Sequence, residues 1–182
     1  KTLRLALSCT GEYGAYFGGK EAALAAMNAT MTRVNGIFEK DLAVHLNIIA
    51  NNDLVIYTNA NSDPYSNAST GSEGDWNSEL QNNLTNVLGN EVYDIGHLFG
   101  ASGGGGNAGC IGCVCDDDEG INSETKGSGF TSPSDNVPEG DSFDVDYVAH
   151  EMGHQLGANH TFSYENESTS VQVEPGSGTT IM

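Results

Sequence analysis

His150-Glu151-Met152-Gly153-His154-Gln155-Leu156-Gly157-Ala158-Asn159-His160 is the stretch from which the rest of the chain is read. His150 and His154 stand four residues apart, so on a helix their side chains share one face, with Cβ atoms roughly 5–6 Å apart. That separation suits two imidazole nitrogens binding one zinc ion at about 2.0–2.1 Å each. Glu151 follows the first ligand, points off the ligand axis, and can reach a metal-bound water as general base without becoming a ligand itself. Gly157 comes three residues after His154, where a helix commonly ends on one left-handed residue that glycine adopts without strain. The chain can then turn and bring His160 to the same metal. Three neutral imidazoles leave a fourth position open, which is the pattern of catalytic and not of structural zinc. His-Glu-x-x-His alone also has a bland reading, a solvated helix face with two histidines. The added glycine and third histidine at fixed spacing make that accident a poor explanation.

Upstream, the helix that carries this stretch begins near Phe143 or Asp144, with Val145, Val148, Ala149 and Met152 facing inward. Residues 116–141 form a long irregular acidic stretch. Residues 107–114 read as a short strand, and the four glycines Gly103 to Gly106 precede it. No lysine follows that run at phosphate-loop spacing and no helix opens from it, so nucleotide binding is rejected. Residues 93–99 and 54–57 read as strands, and residues 76–88 as a helix with Trp76, Leu80, Leu84 and Val87 on one stripe. Residues 42–49 alternate as a strand in which His45 is an ordinary member. His97 is either a strand histidine or a residue facing the cleft, the former being favoured.

Residues 20–39 carry Leu24, Met27, Met31, Val34 and Phe38 at spacings of three and four, a long amphipathic helix whose methionines fill core. Gly11, Gly14, Gly18 and Gly19 predict a loop, and Leu3, Leu5 and Leu7 predict a half-buried first strand. Strands interleaved with helices argue an α/β fold, a mostly parallel sheet with flanking helices. No linker composition divides the chain, so residues 1–182 read as one domain.

The formal charge of −19, from 6 basic and 25 acidic residues, makes nucleic acid and anionic membrane surfaces poor partners. The acidity reads first as solubility; loop carboxylates suiting Ca2+ are the sharper alternative. No apolar run reaches the length of a membrane span. Lys1 opens directly into strand-like sequence, which fits equally a signal peptide and pro-segment that were removed and ones that this sequence never included. Cys9, Cys110, Cys113 and Cys115 allow three complete pairings. In a strand Cys113 and Cys115 share one face and Cys110 the other. Same-face neighbours bridge poorly, because a disulfide needs Cβ atoms about 3.5–4.5 Å apart. A Cys110–Cys113 bridge requires the strand to break at Gly112. A thiolate zinc site built from Cys110, Cys113 and Cys115 is a minority alternative.

The zinc stretch resembles the extended motif of the metzincin metallopeptidases, and the order of elements is similar to their catalytic domain, a twisted sheet with an active-site helix beneath. Within that clan the resemblance is to the reprolysin (adamalysin-like) group, especially its bacterial secreted members. It is carried by Tyr93-Asp94-Ile95-Gly96-His97-Leu98-Phe99, by Gly109-Cys110-Ile111-Gly112-Cys113-Val114-Cys115 and by Asp144-Val145-Asp146-Tyr147-Val148-Ala149. Thr161 departs from that group, which usually places an aspartate after the third ligand.

The resemblance implies Zn2+ held by His150, His154 and His160, with Glu151 as the catalytic residue. It implies a methionine turn ending Thr179-Thr180-Ile181-Met182, with Met182 beneath the metal, and a C-terminal subdomain beyond it that this chain lacks. It also implies an edge strand at Asn107, Ala108, Gly109, Cys110 and Ile111 that pairs with substrate. Cys115 is expected to lack a partner within residues 1–182, because its counterpart pairs in the absent subdomain. The expected function is a secreted zinc endopeptidase acting on protein or peptide. The alternatives are a non-catalytic, zinc-stabilised binding or adhesion module, an inactive fragment of such a peptidase, and a non-peptide zinc hydrolase.

Overall fold

The computed structural model describes residues 1–118, 120, 123–160 and 181–182. Five strands form one sheet in the order β2-β1-β3-β5-β4. They are β1 (Thr2–Cys9), β2 (His45–Ile48), β3 (Ile95–Phe99), β4 (Gly106–Asn107) and β5 (Gly129–Thr131). β2, β1, β3 and β5 run parallel, and β4 alone is antiparallel, paired to β5 with Gly106 opposite Thr131 and Asn107 opposite Phe130. Parallel neighbours require crossovers. Helix α2 (Lys20–Asp41) supplies the crossover from β1 to β2, and α4 (Trp76–Val87) lies on the path from β2 to β3.

Both faces of the sheet are covered. Leu3, Leu5, Leu7 and Cys9 pack with Met27, Met31, Val34 and Phe38 of α2 and with Phe143, Val148 and Met152. Ala6 lies opposite, with Trp76, Leu80 and Leu84 of α4 and with Leu98 and Phe130. The alternation of Leu3, Leu5 and Leu7 is thus real, but the face between them is buried as well, Ala6 and Ser8 both being fully inaccessible. A parallel sheet layered by helices buries both sides, which corrects the half-buried expectation for β1.

The expected glycine loop after β1 is instead a short helix, α1 (Gly11–Tyr16), whose N-cap Thr10 accepts a hydrogen bond from the Tyr13 amide. A Cβ on Gly11 would stand 2.2 Å from the Ala60 nitrogen, and one on Gly14 would stand 2.0 Å from the Tyr57 oxygen. These glycines serve close backbone approach. The strand expected at residues 54–57 is a 3₁₀ turn, Asn52–Val55, followed by a single bridge from Ile56 to Cys9. Ahead of α4 lie α3 (Ala68–Thr70) and a wider turn, Gly71–Asp75.

The expected strand over residues 107–114 stops at Asn107. The Asn107 side chain accepts the Gly109 amide at 2.7 Å, Gly109 and Gly112 take positive φ, and the chain turns away from the sheet. β5, by contrast, lies inside the stretch expected to be irregular. Only three residues long, it is too short to show an alternation.

Two asparagines close backbone groups that the sheet leaves open on the β2 side. Asn35 of α2 accepts the Leu46 amide at 2.8 Å and donates to its carbonyl at 2.9 Å. Beyond the end of β2, Asn52 does the same for Leu7, at 2.8 and 2.7 Å. Among the described residues no helix is long and apolar enough to cross a membrane.

Candidate active site

A π-wound segment, Ser142–Ala149, runs directly into α5 (His150–Gln155). Thr30 of α2 donates to Asp144 at 2.7 Å and Arg33 pairs with Asp141 at 2.9 Å, tying its start to the neighbouring helix. α5 ends at Leu156, and Gly157 follows with φ of 105°, so the chain reverses and His160 returns to the helix. The Nε2 atoms of His150, His154 and His160 then lie 3.0–3.1 Å from one another.

The second ring nitrogens define which protons are present. The His154 Nδ1 meets the Ala158 carbonyl at 2.7 Å, and the His150 Nδ1 meets the Ile181 carbonyl. A carbonyl only accepts, so both Nδ1 atoms carry the proton and both Nε2 atoms present lone pairs. Lone pairs at that spacing repel unless a cation lies between them. A tetrahedral zinc with bonds of about 2.0–2.1 Å holds its nitrogens about 3.3 Å apart, close to the observed triangle. The donor set fits zinc, and it is the only group of three or more such side chains that converges among the described residues. Among the described residues the acidic loops give no comparable cluster for Ca2+. Asp117 pairs with Lys126, and Asp118 accepts from Thr85, Ser123 and the Gly120 amide.

Glu151 is 8% exposed, and no hydrogen bond reaches its carboxylate from the described residues. Burial pushes its carboxyl up to about 7, partly opposed by the charge of His160. Its side chain lies on β4. A Cβ on Gly106 would stand 2.4 Å from the Glu151 Cγ, which gives the last residue of the glycine run a specific reason. The Ser132 amide donates to the Gly105 carbonyl at 2.9 Å, and antiparallel pairing alternates. Gly106 therefore turns its own N–H and C=O to the open side. A cleft of about 300 Å³ is lined by Gly106, Asn107, Ala108, Gly109, Ile111, His150, Glu151, His154 and His160.

The structure thus brings the three histidines, Glu151 and the expected edge residues Asn107, Ala108, Gly109 and Ile111 to one cleft, although only Asn107 of those edge residues is in a strand. Cys110 does not line it; it is bridged to Cys113 across the turn, with Cα atoms 5.6 Å apart. The Gly112 amide of that turn donates to the His154 carbonyl at 3.1 Å. Bridged sulfurs offer no thiolates, which removes the thiolate zinc alternative. Cys9 and Cys115 are free, as expected for Cys115.

Met182 lies against α5, its Sδ 2.9 Å from where a Gly153 Cβ would be. Gly176-Ser177-Gly178, Thr179-Thr180 and Thr161 lie outside the described residues. His45 sits in β2, hydrogen-bonded to Glu39 and Asn47, and is not a member of the metal donor set. His97 is fully buried and does not line the cleft. Gly106 and Gln155 are the contributors that sequence reasoning missed. The spacing of Gln155, four residues after Glu151, places both on one stripe of the helix but does not show what Gln155 contacts.

A three-histidine, metal-competent cleft built on a helix beneath a mostly parallel sheet defines a metzincin-like metallopeptidase catalytic domain. The sequence profile described as metallo-peptidase family M12B, reprolysin-like, matches residues 1–182, and the chain belongs to that family. Comparison with curated proteins finds no significant match.

Proposed function

We propose that residues 1–182 are the catalytic domain of a secreted zinc-dependent endopeptidase in which Glu151 is the general base. The observation that carries this reading is the convergence of three Nε2 atoms, two of them with their protons fixed on the far nitrogen, beside a buried carboxylate that no hydrogen bond reaches from the described residues. Zinc, when bound, supplies the Lewis acid that polarises a carbonyl and lowers the pKa of a water. The Ala158 and Ile181 carbonyls orient two of the rings that hold it. Glu151 takes the proton of the attacking water and returns it to the leaving amine. A carboxyl whose burial raises its pKa towards neutrality is suited to both transfers. The outward backbone groups of Gly106 pair with an extended substrate, as an unfilled sheet edge does. Met182, packed against Gly153 of α5, forms the floor of the site.

Endopeptidase action is supported by the cleft lining, which among the described residues carries no lysine or arginine to bind a terminal carboxylate and no carboxylate besides Glu151 to bind a terminal amine. Secretion is supported by the Cys110–Cys113 bridge, since disulfides persist in oxidising compartments.

The test is incubation of the zinc-loaded protein with an unfolded polypeptide, the products being read by mass. Internal cleavages that a chelator stops, and that Glu151→Gln loses, are expected. One bound zinc with no cleavage would favour the binding-module alternative. Secretion is tested by locating the full gene product in the medium or in the cells.

A further inference from the structure

Gln155 lies immediately after His154, is 3% exposed, and does not itself line the cleft that the proposed chemistry uses. Its amide is inserted into the sheet. Nε2 donates to the Gly96 carbonyl of β3 at 2.8 Å. Oε1 must then accept from His97 Nδ1 at 2.7 Å. That places the imidazole proton on Nδ1, so His97 Nε2 accepts from the Thr131 hydroxyl of β5 at 2.8 Å. Burial lowers the His97 pKa to about 4, and the ring is neutral. A Cβ on Gly129, which pairs with His97 in the sheet, would stand 2.4–2.6 Å from the Gln155 amide.

Gln155 and Glu151 are four apart, so they share one stripe of α5. The two glycines beneath that stripe, Gly129 in β5 and Gly106 in β4, each make room for one of its side chains. β4 and β5 are themselves paired. The contacts close a ring from Glu151 along α5 to Gln155, through β3 and β5 to β4, and back to Glu151.

We propose that Gln155 is a positioning residue. Through His97 and Thr131 it sets the rotation and depth of the zinc helix against β5, and so holds His154 and Glu151 in register with the Gly106 edge. This rests on the zinc-peptidase reading for its catalytic readout, and it carries a second readout that does not.

The experiment compares the parent chain with Gln155→Leu, similar in volume but unable to make either hydrogen bond, and with Thr131→Val, which leaves Gln155 intact and removes only the far end of the chain of bonds. Each is loaded with Zn2+ for peptide kinetics and with Co2+ for its visible absorption spectrum, and each is melted. Gln155→Leu is expected to bind one metal per chain with an altered cobalt band. Its kcat is expected to fall roughly 10–100-fold with KM within about threefold, the size expected of a misplaced catalytic group. Thr131→Val is expected to shift both in the same sense by less.

A purely structural role would lower the melting temperature while leaving the cobalt band and kcat of the folded variant unchanged. That result for Gln155→Leu overturns the proposal, and Thr131→Val decides by the same criterion where Gln155→Leu does not fold. A parent that cleaves nothing refutes the peptidase reading alone, and the cobalt band then decides the positioning role.

Discussion

The two edges of the sheet are treated in opposite ways. At the β2 edge, the Asn35 amide occupies the outward N–H and C=O of Leu46 as a neighbouring strand would. At the β4 edge, Gly106 turns the same groups outward beside three histidines and presents no side chain of its own. An open edge is a liability that folded proteins usually blunt. Here the edge away from the histidines is closed by a side chain, and the one beside them is kept short and bare. The polar accounts differ too. The closed edge is satisfied at 2.8–2.9 Å, whereas the open edge holds a buried carboxylate that no described hydrogen bond reaches.

The largest effect tests what the open edge is for. Glu151→Gln should lower peptide cleavage by roughly 10²–10⁴-fold, the range for a lost general base, with zinc stoichiometry unchanged by metal analysis. Retention of most of the parental rate would place the proton transfer elsewhere.

The same substitution should have the opposite consequence for folding of the metal-free chain. The Glu151 carboxyl goes from an ordinary 4.5 to about 7 on folding. Between those values the unfolded chain releases a proton that the folded chain retains, so this group's contribution to stability falls as pH rises and levels off above about 7. Metal-free Glu151→Gln should therefore gain stability over the parent as pH rises from 4.5 to 8, by about 3 kcal/mol at the upper end. Urea titrations of both proteins at several pH values check this, and a constant difference would show that the carboxylate is not strained by burial.

At the closed edge, Asn35→Leu removes both partners of Leu46 and should lower stability by about 2 kcal/mol. Cleavage at a temperature where the variant is folded should stay within twofold, and a larger loss would mean that the two edges are coupled. The smallest effect belongs to Gly106→Ala. The added methyl group would press on the Glu151 Cγ and the Phe130 carbonyl, so kcat should fall about tenfold, a barrier change of about 1.4 kcal/mol. Zinc content and melting should change little, and an unaltered kcat would show that Glu151 does not depend on that seat.

The same contrast explains what could be read before folding was known. The histidine cluster, α2 and α4 were legible because their signals are local: spacings of three and four along one helix. Gly106, Gly129 and Gln155 were not, because the meaning of each depends on pairings far along the chain, such as Gln155 with Gly96, 59 residues away. β5 was illegible for a different reason, its three residues, Gly129, Phe130 and Thr131, being a strand only because β3 and β4 flank it. Asn35 offered a faint clue. A single amide between Met31, Val34 and Phe38 on an otherwise apolar stripe of α2 is a polar group that must find a partner when buried.

The carbonyl that orients His150 belongs to Ile181, 31 residues further along the chain. A ribosome delivers the helix bearing the first two histidines well before that carbonyl exists. The nascent chain therefore reaches its full grip on a metal only after Ile181 has emerged and folded back. Ordered synthesis delays full assembly of the metal site until the 31 residues after His150 have been made.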